Sequence, residues 1–145
     1  MTAVEDSLRA WAHGRYTTEA GVELLIRHGK AIYDGAPWIS RHDGGAHIDV
    51  DKLLYESGVW SSSEQQIVQV AASLLGGPPA DLNDTIPGLS RANLALVLAA
   101  IAHAGGSHDH GPTPFLRQPD GSVKLNPDRH TMLGSLYPWP GEDER

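Results

Sequence analysis

Histidine is the residue type with the most chemistry to offer in this chain. Eight are present, and two groups are spaced for ligation or acid–base work: His103, His108, Asp109 and His110 fall within eight residues, as do His42, Asp43, His47 and Asp49. Neutral imidazole and ionised carboxylate are ligands for zinc, manganese, iron or nickel. If a divalent transition metal is bound, the expected ligand set is therefore drawn from His42, His47, Asp49, His103, His108 and His110. In an extended strand His47 and Asp49 would project from one face. The spacing does not match His-Glu-x-x-His, which sets two imidazoles one helical turn apart. The competing expectation is a protein with no cofactor. Polar residues that follow a glycine pair are solvated in a loop, and His103 near a helix end would interact with the last free carbonyls.

Arg27-His28-Gly29, preceded by Leu24-Leu25-Ile26, is another place where residue types could do chemistry. Imidazole is a nucleophile, and guanidinium grips an anion in a bidentate fork. The segment resembles the start of the histidine phosphatase (phosphoglycerate mutase-like) family, in which a strand leads into an Arg-His-Gly loop. There the histidine is phosphorylated and the arginine holds phosphate. Ser61-Ser62 with Gln69 and Ala71, and His103-Ala104-Gly105, are similar to two later segments of that family. The chain departs from the pattern at Gln66, where a second phosphate-gripping arginine would fall, and at Val70, where the family has threonine. The resemblance implies a degenerate phosphatase-like domain with a phosphate site at Arg27 and His28. It also requires residues 24–26 and 94–102 to form neighbouring parallel strands.

The elements that must position these groups are helical for the most part. Ser61 and Glu64 have capping-box spacing, and Ile67, Val70, Ala71 and Leu74 follow at helical period until Gly76-Gly77-Pro78-Pro79 stops the run. A second helix is predicted over residues 90–104, with Ser90 as its cap and Leu89 and Leu94 at staple spacing. Its residues are apolar on almost every side, the pattern of a buried helix. Residues 4–13 read as an amphipathic helix carrying Leu8 and Trp11. Residues 18–28 read as another, capped by Thr17 or Thr18, although Val22 to Ile26 would also serve as a strand. Two β-prone runs within residues 38–50 flank Asp43-Gly44-Gly45 and predict a hairpin. A short helix over residues 51–57 follows it.

Six of the ten prolines lie beyond residue 110, together with Phe115, Leu116, Met132, Leu133, Leu136, Tyr137 and Trp139. So many large apolar side chains predict an extended strap that packs on the domain or on a partner, with Asp120-Gly121 at a turn or small hairpin. Within Tyr137-Pro138-Trp139-Pro140 the backbone is pre-stiffened, so Tyr137 and Trp139 are the expected partner-binding anchors. The predicted fold is thus α+β, mainly α. Residues 1–110 form a helix-rich domain with one hairpin near 38–50, and residues 111–145 an extended proline-rich tail.

Composition narrows function by exclusion. With 40% apolar and 20% charged residues among 145, the chain is globular and of single-core size. No cysteine is present, so a disulfide scaffold, a thiolate zinc site and a cysteine nucleophile are all excluded. A formal charge of −7, with Arg91 the one basic residue between Leu53 and Leu116 apart from histidines, argues against a nucleic-acid partner. The longest apolar run, residues 94–102, is far short of the roughly 20 residues a membrane helix needs. Glu5 and Asp6 in a leader-free N-terminus predict a cytoplasmic protein. The function expected from sequence is a non-catalytic accessory protein that binds a protein partner or its own copy. A His/Asp metal protein, hydrolytic in type, is the alternative, and the phosphatase-like domain a further one.

Overall fold

A computed structural model describes residues 2–142. The element order begins with α1 (Ala3–Ala12), α2 (Tyr16–His28), β1 (Ile39–His42), β2 (Gly45–Ile48) and α3 (Val50–Glu56). It continues with α4 (Ser62–Leu74), α5 (Leu82–Thr85), α6 (Arg91–Ala104), β3 (Phe115–Arg117) and β4 (Val123–Leu125). The fold is α+β and mainly α, as its sequence patterning predicts.

Helix α2 is the hub, packed against α1, α4 and α6. Its Val22, Leu24 and Leu25 are fully buried and meet Leu8 of α1, Ile67 and Val68 of α4 and Val97 of α6 in one core. Each such side chain contributes about 1.5–3 kcal/mol before conformational entropy. Local signals set the helix starts. Thr2 and Glu5 close a capping box on α1, and Ser61 and Glu64 close one on α4. The Ser90 hydroxyl accepts from the Asn93 amide at 3.1 Å, and Asp49 caps α3.

The hairpin β1–β2 is antiparallel, with Ile39 opposite Ile48 and Asp43-Gly44 at the turn. Ile39, Ala46 and Ile48 face the core, where β2 packs on α1. A second hairpin, β3–β4, stands on the tail around Asp120-Gly121, pairing Phe115 with Leu125 and Arg117 with Val123. Trp139, farther along the tail, returns to the main core at 6% exposure.

Residues 22–26 lie in a helix, as read over 18–28, and not in the alternative strand, because their apolar side chains cover two helix faces against α4 and α6. Two expectations are corrected. The start of α2 falls at Tyr16, before Thr17, and its N-cap Arg15 makes no side-chain cap. The segment 82–85 adds a short helix, α5, capped by Asp81. Finally, α6 is buried on one face only. Leu94, Leu98 and Ile101, at i, i+4 and i+7, stay open to solvent, with Ile101 at 51%. The core covers one side of this helix, through Val97, Ala99 and Ala100.

Candidate metal centre

The centre forms where the first turn of α2 meets the last turn of α6. Glu19 sits at the positive end of α2 and His103 at the negative end of α6, each where the helix dipole favours it. His103 Nε2 donates to Glu19 Oε1 across 2.7 Å. The other carboxylate oxygen of Glu19 accepts from the Gly14 amide at 2.9 Å. Partial burial works to raise the Glu19 carboxyl, but the hydrogen bonds from His103 and Gly14 outweigh it and hold it below the ordinary value of 4.5.

The chain beyond α6 brings in the second imidazole. Gly105 caps the helix, and Gly106 turns the backbone at φ 72°, in the left-handed region that glycine enters without cost. A Cβ there would also stand 3.1 Å from the Tyr16 ring. The backbone then folds back through a 3₁₀ turn, Ser107–Asp109. This lays the His108 ring on the His103 ring, 4.2 Å between centroids and 13° from parallel. Tyr16 meets both imidazoles edge-on, with centroids at 4.8 Å from His108 and 5.9 Å from His103. Its hydroxyl donates a short hydrogen bond to Asp109 Oδ2, which fixes the turn to α2.

Ligating atoms of Glu19, His103 and His108 all lie within 4.8 Å of one another, and among the described residues no other such group of three exists. His108 Nδ1 is buried with no hydrogen-bond partner. A buried polar atom in that state costs on the order of 1–3 kcal/mol. A cation is one group that would satisfy the imidazole.

His103 and His108 line one wall of an open groove of about 590 Å³. Arg9, Glu23 and Arg27 form its floor, and Ser135, Trp139 and Glu142 of the tail form the other side. Glu23 accepts from both arginines: the Arg9 Nε in a short hydrogen bond and the Arg27 Nε at 2.9 Å. Burial would raise its carboxyl, but the two guanidiniums reverse the effect and hold it low. Arg27 lies 5.0 Å over the Trp139 ring and also reaches Glu142 Oε1 at 2.9 Å.

The structure separates the residues singled out from sequence. Of the six predicted ligands, only His103 and His108 come together. His42 and His47 face each other on β1–β2 at 5.4 Å between rings, and the Asp49 carboxylate is engaged by the Lys52 amide at 3.1 Å. These three residues form no triple with the ligands at α6. His110 is exposed beyond the 3₁₀ turn, and its carbonyl accepts from the Leu133 amide at 2.8 Å. Arg27 and His28 do not form a phosphate loop. Both lie in α2, where Arg27 points to Glu23 and Glu142 while His28 titrates lower through burial, modulated by Glu64 and Lys30. The parallel strands required by the phosphatase resemblance are absent, since residues 24–26 lie in α2 and residues 94–102 in α6. Trp139 is buried in its own chain, and Tyr137 remains 41% exposed.

Glu19, Tyr16, Arg9 and Glu23 are not marked as functional by motif or spacing to the histidines. The sequence does carry one signal for the two glutamates: Glu19, Glu23 and Arg27 recur every fourth residue and mark one polar stripe, with only apolar residues or glycine between them. No known family model, curated protein or solved structure matches this chain.

Proposed function

We propose that this protein binds one divalent transition-metal ion through Glu19, His103 and His108 and offers it to a small ligand in the adjoining groove. The observation that carries the reading is the convergence of two imidazoles and one carboxylate within 4.8 Å, with both imidazoles on the groove wall. Two histidines and a glutamate form a ligand set of catalytic zinc, which keeps a further position for water or substrate. When bound, such an ion supplies Lewis acidity and acidifies a water ligand, the basis of hydrolysis at neutral pH.

The protein's own part is to gather the three ligands close to the required spacing. Donors about 2.0–2.2 Å from zinc in a tetrahedral site stand roughly 3.3 Å from each other. Loading would therefore replace the proton between His103 and Glu19 and widen their 2.7 Å contact by a fraction of an ångström. Tyr16 and Asp109 would orient the imidazole pair from behind, as outer partners of metal ligands do.

The test is calorimetric titration of chelator-stripped, untagged protein with zinc and with cobalt(II). One equivalent should bind, and His103→Ala, His108→Ala and Glu19→Gln should each weaken it on the order of 100-fold. Failure to take up stoichiometric metal overturns the proposal. So does uptake that is equally tight in all three variants, which would place the ion on other histidines.

A further inference from the structure

Residues 110–134 make an excursion whose two ends are tied together beside the His103–His108 pair. The Leu136 amide donates to Ser107 Oγ at 3.1 Å, Ser135 Oγ lies 3.3 Å from the same hydroxyl, and the Leu133 amide donates to the His110 carbonyl. Inside the excursion the arm bonds to itself: the Asn126 side chain donates to the Thr113 carbonyl at 2.9 Å, and its amide to the Pro114 carbonyl. The six residues of β3 and β4 are all exposed. Cross-strand partners share a face, so Phe115, Leu125 and Val123 form one apolar face with Arg117 at its edge, while Leu116 and Lys124 take the other. Met132, Leu133 and Leu136 are open as well. A two-stranded hairpin is marginal alone in water, and apolar surface of this extent marks an interaction site.

The same chain carries a second uncovered apolar surface, the Leu94, Leu98 and Ile101 stripe of α6. That stripe has no charged side chain between Arg91 and His103. We infer that the arm of one copy packs on the α6 stripe of a second copy, reciprocally, in a twofold dimer. Charge favours this occupant. Arg117, Lys124 and Arg129 outnumber Asp120 and Asp128, so the arm is net positive on a chain of formal charge −7. It would therefore be drawn to the acidic body of another copy. Area favours it too. Three half-exposed side chains on α6 fall well short of the roughly 800 Å² per partner that a stable interface buries, whereas a twofold contact uses each stripe and each arm.

Light scattering on the full chain should give twice its 15.6 kDa mass. Leu98→Glu with Ile101→Glu disables the stripe, and Phe115→Ser with Val123→Ser disables the arm. All four positions are solvent-exposed, so far-UV circular dichroism should stay unchanged. Each double variant alone should run as a monomer. An equimolar mixture should recover a heterodimer, because one intact arm still meets one intact stripe, with affinity at least tenfold below wild type. A monomeric wild type overturns the inference, as does a dimer that survives either double variant or a mixture that stays monomeric.

Discussion

The His103 and His108 rings stack 4.2 Å apart and nearly parallel, although the end of α6 and a glycine pair separate them in the chain. The reversal that makes this possible is Gly106 at φ 72°, with the Tyr16 ring 3.1 Å from where a Cβ would stand. An L side chain in left-handed geometry costs about 1–2 kcal/mol before any clash. Gly106→Ala should therefore lower the urea midpoint by an amount equivalent to roughly 1–3 kcal/mol and weaken metal uptake, whereas Gly134→Ala, with nothing within 4 Å, should do neither. Equal stability of the two variants would show that the reversal is not strained.

Acid should unfold this protein through Glu19 and Glu23. Burial pushes both carboxyls upward, but His103 and Gly14 in one case and Arg9 and Arg27 in the other more than offset it, and both end below 4.5. The unfolded chain then takes up these protons at a higher pH than the folded one does. The stabilisation is therefore complete above the ordinary carboxylate value and is lost as pH falls through the lowered, folded values. Urea midpoints should ease downward below about pH 6.5, where the unfolded chain protonates His28 more readily than the half-buried ring does, and fall more steeply below about pH 4.5. Glu23→Gln should cost about 1–3 kcal/mol at pH 7, because it leaves Arg9 and Arg27 facing each other across a site where the Glu23 side chain is only 16% exposed. The gap between variant and wild type should close in acid. A gap that shows no narrowing as pH falls below about 4.5 would assign the loss to packing.

How much of this was legible depended on how local each cause is. The Ser61–Glu64 box and the Ser90 cap were readable because a capping side chain bonds to amides within its own turn. The Asp43-Gly44 turn of β1–β2 was readable for the same reason. The open face of α6 was not. Leu94, Leu98 and Ile101 look like core in one dimension, and only the course of the rest of the chain decides whether anything lies over them. Two of the three members of the candidate centre, His103 and His108, were visible. Its third member was hidden, because a glutamate in the first turn of an amphipathic helix has the composition of solvated surface. Its nearness to His103, 84 positions away, follows from how α2 packs on α6.

The crossing of α2 on α4 gives a sharper test of packing. Gly21 is buried, and a Cβ there would meet Leu75 Cγ at 2.8 Å and the Ala71 carbonyl oxygen at 3.2 Å. Helix propensity alone favours alanine over glycine by about 1 kcal/mol. The leucine can rotate away but the carbonyl is backbone, and overpacking of this kind costs about 1–3 kcal/mol. Gly21→Ala should therefore destabilise by a net of up to about 2 kcal/mol in urea unfolding. An increase in stability would mean that the helices slide apart freely.

Trp139 decides whether the end of the tail belongs to its own chain. It is 6% exposed, lies under the Arg27 guanidinium at 5.0 Å and approaches the His103 ring at 6.4 Å. Truncating a buried tryptophan costs about 3–5 kcal/mol in a core, and the loss of its cation–π contact adds up to about 2. This residue is held from one side by a chain end, so the lower part of that range applies. Trp139→Ala should lower stability by about 3 kcal/mol and expose the 135–142 segment to limited proteolysis. Tyr137→Ala, at 41% exposure, should do neither. Because Trp139 walls the groove beside His103, the variant should also admit solvent there and raise the metal off-rate without touching a ligand. If the tail instead docked on a partner, Trp139→Ala would leave monomer stability unchanged, and a wild-type unfolding curve for the variant would show it.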